Sequence, residues 1–227
     1  MKPLEMTTSV LVLLLLLVIS RCGASDIRKS DSVRMDVIDN TLHSETGDIH
    51  YSSYIPESYD VFYLMHGGWS NETTTLGLPG QESAFKNILD NAIQNGDMEP
   101  LIVVCPTYNN TNENGQDSNS FSLAMQLTRN YHNELVNDLM PAAEGKYSTY
   151  AEDTTASGLA ASHDHRGFGG FSMGSVTTWR TFEYYMDYFR YYLPMSCGTS
   201  LDDEAIWKGA DGHDPSEYFV FMKKCSY

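Results

Sequence analysis

Ser172 stands between two glycines in the segment Gly170-Phe171-Ser172-Met173-Gly174. This G-x-S-x-G spacing is typical of a nucleophile elbow, a tight turn between a strand and a helix that lifts a serine hydroxyl above the edge of a sheet. Glycine two positions before and two positions after the serine removes side chains that would collide with the neighbouring backbone. A glycine-rich turn without catalytic function would show the same pattern, so the surrounding elements must decide between the two interpretations.

A second segment, His66-Gly67-Gly68-Trp69, follows an apolar run and could serve the same chemistry. Acyl transfer needs backbone N–H donors where the negative oxygen of the tetrahedral intermediate forms. The two patterns together predict that the amide of Met173 is one donor and that the amide of Gly68 or Trp69 is the other. We expect His66 to support this loop rather than to act as the base. The alternative is an ordinary turn at the end of a strand.

A serine nucleophile also needs a base to accept its proton and an acid to orient that base. In α/β-hydrolases both follow the serine in the chain, and His213 is the one histidine after Ser172. His213 precedes the last predicted strand, so in a parallel sheet it would lie at the edge opposite Ser172. His165 is the other candidate base, but we expect Asp164, His165 and Arg166 to form a hydrogen-bonded support for the strand that leads to the elbow.

The elements that must hold these residues alternate between short apolar runs and helical patterns. Buried strands are predicted at residues 61–65, 101–105, 167–171, 191–195 and 218–222. Helices are predicted at residues 83–94, 123–139 and 175–188, and Pro141 is expected to end the second of them. This alternation predicts an α/β fold in which a mostly parallel sheet carries helices on both faces, with ligands bound beyond the carboxyl ends of the strands.

The bulk composition fits one globular domain and restricts its partners. The chain has 227 residues, of which 41% are hydrophobic, and a formal net charge of −16. Such acidity repels phosphate backbones and anionic lipids, which argues against nucleic-acid and membrane partners.

The N-terminus has the pattern of a secretory signal peptide. After Lys2, residues 10–19 form an unbroken apolar run that is too short to span a bilayer, and Ala24 offers a small residue for cleavage. We therefore expect residues 1–24 to be removed and residues 25–227 to be secreted. An uncleaved anchor is the alternative.

Removal of that segment would leave three cysteines, Cys105, Cys197 and Cys225, which cannot all pair within one chain. Cys105 ends an apolar run and is expected to be a buried small hydrophobe rather than a reactive thiol. Two sequons begin at Asn71 and Asn109 and would be glycosylation acceptors in a eukaryotic host.

Four stretches of the chain resemble the secreted feruloyl esterases of carbohydrate esterase family one, a branch of the α/β-hydrolases. They are residues 165–179 (HRGFGGFSMGSVTTW), 61–69 (VFYLMHGGW), 71–73 (NET) and 188–196 (YFRYYLPMS). The resemblance implies cleavage of feruloyl or acetyl esters of plant cell-wall polysaccharide such as xylan, without a metal or an organic cofactor. It implies that Ser172 is the nucleophile and that the backbone of Met173 and of Gly68–Trp69 forms the oxyanion hole.

The sequence departs from the family pattern after the last predicted strand. Members continue with a Gly-Thr-x-Asp-like segment that carries the acid and later supply a histidine, whereas this chain ends MKKCSY. We interpret the sequence as a partial α/β-hydrolase domain that lacks its C-terminal strand and helix. Recruitment of His213 or His165 as the base is the alternative.

A missing strand predicts low stability and self-association through an exposed sheet edge. Two other functions remain open beside ester hydrolysis. One is a secreted acyltransferase on the same fold. The other is a non-catalytic carbohydrate-binding or remnant protein, in which the tyrosine-rich residues 184–192 could stack on sugars, although such aromatics more often pack a helix against the sheet.

Overall fold

The computed structural model describes residues 36–38, 57–78, 80–109, 117–196, 213 and 218–220, with the backbone alone at 36–38 and 219. The predicted signal peptide, Cys197 and Cys225 lie outside these ranges. None of the helices in the described ranges has the length and apolar character needed to cross a membrane.

The described chain alternates between strands and helices, as the sequence predicts. The strands are β1 (Asp36–Ile38), β2 (Asp60–Met65), β3 (Gly77–Leu78), β4 (Gln81–Glu82), β5 (Leu101–Cys105), β6 (Arg166–Phe171), β7 (Tyr191–Met195) and β8 (Phe219–Val220). The α-helices are α1 (Ala84–Gln94), α2 (Phe121–Glu134), α3 (Met140–Glu144), α4 (Ala156–Ala161) and α5 (Met173–Tyr184). Three single-turn 3-10 helices lie at Asp117–Asn119, His163–His165 and Met186–Tyr188.

Six of the strands form one sheet in the order β1-β5-β2-β6-β7-β8, and β3 and β4 form a separate hairpin. Every pair within the large sheet is parallel except β1 with β5. The register places Met65 beside Gly170 and Phe171 beside Met195. The carboxyl ends of β2, β6 and β7 therefore share one edge, which is where ligands bind in sheets of this kind.

Helices cover both faces of the sheet, as predicted. Along β2 the side chains alternate between two core clusters. Val61, Tyr63 and Met65 pack with residues of α2 and α5 on one face, and Phe62 and Leu64 pack with residues of α1 on the other. This two-sided burial explains why β2 and β5 are almost entirely apolar. Cys105 is buried in the second cluster, also as predicted.

Local signals fix the ends of α1 where the sequence predicts them. The hydroxyl of Ser83 caps the helix by accepting a 3.0 Å hydrogen bond from the amide of Lys86. Gly96 follows the helix at φ 74°, a left-handed conformation that suits glycine after a C-terminus. One apolar residue of this helix, Ile88, is 54% exposed.

The prediction that Pro141 ends the second helix is wrong. The chain passes from α2 through a π-helical turn, Leu135–Leu139, directly into α3, where Pro141 occupies the first turn. A proline inside an α-helix lacks the N–H for an i to i−4 bond and collides with the carbonyl of residue i−4. In the wider π turn the bonds shift to residue i−5, so the chain stays helical across the proline.

Candidate active site

Ser172 occupies a strained turn between β6 and α5. Its backbone has φ 56° and ψ −110°, a conformation that residues with side chains rarely adopt. Its amide donates a 3.0 Å hydrogen bond to the carbonyl of Met195 at the end of β7, which ties the turn to the neighbouring strand. The side chain is exposed and makes no capping hydrogen bond to the helix behind it. The hydroxyl is therefore presented to solvent, as a nucleophile elbow requires.

The two glycines of the elbow are required for close approach. A Cβ on Gly170 would lie 2.6 Å from the carbonyl carbon and oxygen of Gly174. A Cβ on Gly174 would collide with the carbonyl oxygen of Met65 and lie 2.9 Å from that of His66. Any side chain at either position would push the helix away from the sheet. The spacing in the sequence thus reflects packing between β6, α5 and the end of β2.

The loop after β2 touches the elbow directly. A Cβ on Gly67 would lie 3.1 Å from the carbonyl oxygen of Phe171 and 3.5 Å from the Cβ of Ser172. Gly67 therefore lies beside the serine, with no room for a side chain to extend further between them. This juxtaposition is the arrangement in which backbone amides can receive an oxyanion formed on Ser172.

The candidate donors in the loop are not equivalent. The amide of Trp69 donates to the carbonyl of Ser118 over 3.0 Å, so it is committed to holding the loop. The amide of Gly68 makes no hydrogen bond within the described part of the chain. Of the pair predicted from the sequence, Gly68 is therefore the available donor. Trp69 is instead an anchor of the loop. Its N–H cannot point at both Ser118 and the serine.

The other predicted donor lies at the start of α5. Met173 is the first residue of this 12-residue helix, where amides have no partner within the helix. The helix N-terminus also carries a partial positive charge that favours a developing negative oxygen. The Met173 side chain is buried, with its sulfur 3.9 Å from the hydroxyl of Thr128 in α2. Packing of that side chain fixes the position of the backbone amide.

Further anchors hold the loop from the segment that precedes α2. The Ser118 hydroxyl donates to the carbonyl of Ser70 over 2.6 Å. The Asn109 side chain donates to the same carbonyl over 2.9 Å and accepts from the Ser118 amide over 2.7 Å. Ser118 and Asn109 are both buried. Sequence patterns did not predict this role for either residue, because a hydrogen bond between two loops has no periodic signal.

His66 is buried and serves the loop, as expected. One ring nitrogen, Nδ1, lies 2.7 Å from the carbonyl oxygen of Gly67, and Nε2 lies 2.7 Å from the hydroxyl of Thr107. Burial lowers the pKa of His66 to about 4, so the ring is neutral near pH 7. Both nitrogens are occupied by structural hydrogen bonds.

His165 and its neighbours support the start of β6, as the sequence predicts. His165 Nδ1 lies 2.7 Å from Asp60 Oδ1, and the ring stacks on Tyr150. Asp164 accepts a 2.5 Å hydrogen bond from Arg190, which lowers the pKa of its carboxyl. His165 precedes β6 whereas Ser172 follows it, so the two residues are about 20 Å apart at ~3.3 Å per residue. The pair of His165 and Asp60 resembles a catalytic dyad but lies at the opposite edge of the sheet.

His213 also lies at the amino-terminal edge of the sheet. Its Nδ1 is 2.8 Å from the Tyr218 hydroxyl, and its Nε2 is 3.7 Å from a carboxylate oxygen of Asp187. Asp187 precedes β7 and Tyr218 precedes β8, both of which run parallel to β6. The structure therefore places neither candidate base, His165 or His213, beside Ser172.

The two other described histidines have their partners elsewhere in the fold. His132 stacks on Tyr184 at the C-terminal end of α5, whereas Ser172 lies at the N-terminal end of that helix. His163 faces the carbonyl of Ala160 and the carboxylate of Asp164 before β6. Among the histidines in the described ranges, none bonds to Ser172. A base for Ser172 is therefore not among them.

The two sequons have different surroundings. Asn109 is 4% exposed, and its Nδ2 donates to Ser70, so the nitrogen that would carry a glycan is inside the fold. The structure thus contradicts Asn109 as a glycosylation acceptor. Asn71 is half-buried, and its Oδ1 accepts from the amide and hydroxyl of Thr73. At Asn71 the hydrogen bonds to Thr73 use the side-chain oxygen and not the nitrogen that would carry a glycan. Glycosylation of Asn71 therefore stays a prediction.

The tyrosine-rich residues 184–192 contribute more to the core than to an exposed surface. Phe189 and Tyr192 are completely buried in the core beneath α5. Tyr184 is 52% exposed but is stacked on His132. This pattern matches the packing interpretation rather than a surface on which sugars stack.

Within the described ranges, no three His, Cys, Asp or Glu side chains come together as metal ligands would.

The parallel sheet, the strained serine between β6 and α5 and the facing glycine loop define an α/β-hydrolase. Among curated proteins, the chain is 41% identical over 201 residues to endo-1,4-β-xylanase Y of Acetivibrio thermocellus, matching 82% of this chain and 17% of that protein. It is 30% identical over 148 residues to an endo-1,4-β-xylanase/feruloyl esterase of Xylanibacter ruminicola, matching 65% of this chain and 18% of that protein. The chain thus spans less than a fifth of the length of these relatives.

A solved structure covers most of the chain. The feruloyl esterase module from Clostridium thermocellum, a serine-to-alanine mutant complexed with sinapinate, is 33% identical with a TM-score of 0.65. The match covers 89% of this chain and 72% of that module. No model of a protein family matches the chain. The chain belongs to the feruloyl esterases of carbohydrate esterase family one, as the sequence motifs indicated.

Proposed function

We propose that the chain is a secreted serine carboxylic-ester hydrolase that acts on feruloyl or acetyl esters of xylan. The observation that carries the proposal is the contact between the strained turn at Ser172 and the backbone at Gly67. It brings an exposed hydroxyl beside backbone amides that can bind a negative oxygen. Membership of the feruloyl esterase family supports the substrate class, and the apolar run at residues 10–19 supports secretion.

The proposed reaction runs through an acyl-enzyme. Ser172 Oγ attacks the ester carbonyl carbon and loses its proton to a base, and the carbonyl oxygen becomes an oxyanion held by the amides of Met173 and Gly68. Collapse breaks the bond to the sugar oxygen, which leaves with a proton as the free hydroxyl. Water then adds to the acyl carbon, releases the carboxylic acid and restores Ser172.

A cavity beside the elbow favours an aromatic acyl group over acetate. Its volume is about 190 Å³, and its apolar lining includes Leu64, Met65, Phe85, Phe171 and Met195. An apolar cavity of about 150 Å³ is enough to bind benzene. The ring of a hydroxycinnamoyl group would therefore fill this space, whereas an acetyl group would leave most of it empty.

Hydrolysis of methyl ferulate, methyl acetate and p-nitrophenyl acetate by the purified chain tests the proposal. Ser172→Ala is the matched variant, because it removes one oxygen atom from an exposed side chain. We expect turnover that is lost in Ser172→Ala, with a higher kcat/KM for the ferulate ester than for methyl acetate. Equal background rates in the two proteins would refute the hydrolase.

The positions of the described histidines favour a second candidate, a protein that binds carbohydrate esters without cleaving them. None of these histidines reaches Ser172, and an unactivated serine is a weak nucleophile. Labelling with a fluorophosphonate distinguishes the two candidates, because it reports activation of Ser172 independently of substrate choice. Rapid labelling of the chain but not of Ser172→Ala supports the hydrolase. Absence of labelling together with saturable binding of a feruloylated xylo-oligosaccharide supports the binding protein.

A further inference from the structure

The carbonyl oxygen of Gly67 accepts two hydrogen bonds from buried side chains. The hydroxyl of Tyr108 donates to it over 2.9 Å, and Nδ1 of His66 lies 2.7 Å from it. Tyr108 and His66 are 1% and 3% exposed, and their rings lie against each other with centroids 4.6 Å apart. The carbonyl therefore points into the protein and is held there from two directions.

The direction of that carbonyl fixes the direction of the next amide. A trans peptide is planar, so its C=O and N–H point to opposite sides. The described part of the chain has no cis peptide. With the Gly67 oxygen drawn inward to Tyr108, the N–H of Gly68 must point outward. A Cβ on Gly67 would lie 3.5 Å from the Cβ of Ser172, so the exposed serine is next to this peptide.

The donors are themselves held in the required protonation states. Burial lowers the pKa of His66 to about 4 and raises the pKa of the Tyr108 phenol, so a neutral imidazole faces a protonated hydroxyl at neutral pH. The hydroxyl of Thr107, 2.7 Å from His66 Nε2, can donate to that nitrogen, which leaves the proton of the ring on Nδ1. Thr107 thereby selects the tautomer that donates to Gly67.

We infer that Tyr108 and His66 are positioning residues that clamp the Gly67–Gly68 peptide so that the Gly68 N–H faces the oxyanion formed on Ser172. Neither side chain touches the substrate in this arrangement, and both act through the orientation of one peptide. The inference rests on the proposed function for its catalytic consequence. The orientation of the peptide is a separate claim about the free protein.

Tyr108→Phe tests the clamp because it removes one hydroxyl and keeps the ring that packs on His66. Tyr63→Phe is the matched control. Tyr63 is also fully buried, and its hydroxyl donates a 2.8 Å hydrogen bond to Glu144 near the opposite end of the sheet. Loss of an entire oxyanion donor reduces kcat by about a hundredfold or more. A donor that is still present but less firmly held should cost less, so we expect Tyr108→Phe to lower kcat by about tenfold.

The same variant should leave KM for p-nitrophenyl acetate within about twofold, since the clamp acts on the oxyanion and not on ground-state binding. Tyr63→Phe should lower the melting temperature by a similar amount and keep kcat. Nitrogen-15 relaxation of the Gly68 amide gives a readout without turnover. Its order parameter should fall from about 0.85 in the wild type and in Tyr63→Phe to about 0.6 in Tyr108→Phe.

The outcomes separate the two proposals. A wild type with Ser172-dependent turnover and a Tyr108→Phe variant with unchanged kcat would overturn the inference while leaving the proposed function intact. A wild type without Ser172-dependent turnover would refute the proposed function. In that case the nitrogen-15 relaxation of the Gly68 amide alone would test whether Tyr108 holds the peptide. An equally rigid Gly68 amide in Tyr108→Phe and in the control would show that the hydroxyl does not hold the peptide.

Discussion

The amide of Ser172 donates to the carbonyl of Met195 over 3.0 Å while the serine is held at φ 56°. The bond joins the turn after β6 to the last residue of β7, so the neighbouring strand helps to maintain an unfavourable backbone conformation. Residues in such conformations cost on the order of 1–3 kcal/mol each. The energy stored at Ser172 is thus part of what places its hydroxyl above the sheet.

Release of that strain should be measurable as a gain in stability. We expect Ser172→Gly to have a free energy of unfolding about 1 kcal/mol higher than Ser172→Ala, because glycine adopts positive φ without strain. The gain is reduced by the entropy that glycine loses on folding, roughly 0.5–1 kcal/mol. Urea denaturation of the two variants measures the difference.

Comparison with an ordinary helical serine provides the control for Ser172. Ser122 is exposed in the first turn of α2, where glycine is less favourable than alanine by up to about 1 kcal/mol. Ser122→Gly should therefore be less stable than Ser122→Ala, the reverse of the order at Ser172. The same order at both positions would show that the turn is not strained.

Gly174→Ala should destabilise the protein through overpacking. The added Cβ would collide with the carbonyl of Met65 and lie 2.9 Å from that of His66, and neither backbone group can move without displacing β2. Overpacking of this kind costs about 1–3 kcal/mol or more. We expect a loss of about 3 kcal/mol by thermal or urea denaturation, together with loss of activity.

Gly96→Ala separates this steric effect from the general effect of replacing a glycine. Gly96 has φ 74°, but a Cβ there would meet nothing within 4 Å. Gly96→Ala should therefore lower the free energy of unfolding only through the left-handed conformation, by roughly 1 kcal/mol. If Gly96→Ala proves as destabilising as Gly174→Ala, close approach between α5 and β2 is not the reason for the second glycine of the elbow.

Glu144→Gln should lower stability without affecting the chemistry of Ser172. The side chains of Glu144 and Arg166 are each 1% exposed and form a two-pronged ion pair with both N–O distances at 2.7 Å. Loss of one charge leaves the other buried and unpaired, which costs about 3–5 kcal/mol. Arg166 begins β6 and Ser172 follows it, so fluorophosphonate labelling below the melting temperature should keep the wild-type rate.

A pair nearer the surface supplies the control for Glu144. Arg180 and Glu183 in α5 lie 2.7 Å apart with side chains 18% and 15% exposed. Glu183→Gln should change stability by at most about 1 kcal/mol, as expected for pairs within reach of solvent. Similar losses for Glu144→Gln and Glu183→Gln would contradict the special contribution of the buried pair.

The strands and the elbow could be predicted because each leaves a local signal. A strand covered on both faces must be apolar at every position, which is why the bounds of β5 were predicted to the residue and those of β2 to within one. The elbow requires glycine where Gly170 and Gly174 approach other backbone atoms. The predicted contact between this turn and the loop at Gly67 followed from parallel topology, which brings the ends of β2 and β6 to one edge.

Other parts of the site could not be predicted because their signals are not local. Ser118 and Asn109 fix the loop through hydrogen bonds to residues far away in the sequence, and such bonds leave no period or motif. The Asn109 sequon predicted a surface position, whereas the side chain is buried in this network. The short antiparallel strand β1 was missed for a similar reason, since its pairing with β5 does not depend on a long apolar run.

Glu134 should make the protein less stable as the pH rises. Burial, followed by the negative charge of Asp138, raises the pKa of Glu134 from 4.5 to about 7. Between pH 4.5 and 7 the folded state therefore binds more protons than the unfolded state, so the free energy of unfolding falls as pH increases and levels off above pH 7. The carboxyl is only partly buried, and solvent screening should reduce the total effect to about 1–2 kcal/mol.

Urea denaturation at pH 5 and pH 8 measures this effect when the wild type is compared with Glu134→Gln. The amide has the shape of the protonated acid and does not titrate, so Glu134→Gln should be the more stable protein at pH 8 and nearly equal to the wild type at pH 5. Asp138→Asn should give a smaller gain at pH 8, because the charge of Asp138 is the lesser of the two causes of the raised pKa. If the wild type instead gains stability relative to Glu134→Gln as the pH rises from 5 to 8, the predicted direction of the pH dependence is wrong. Glu134 would then be better solvated at the end of α2 than its position indicates.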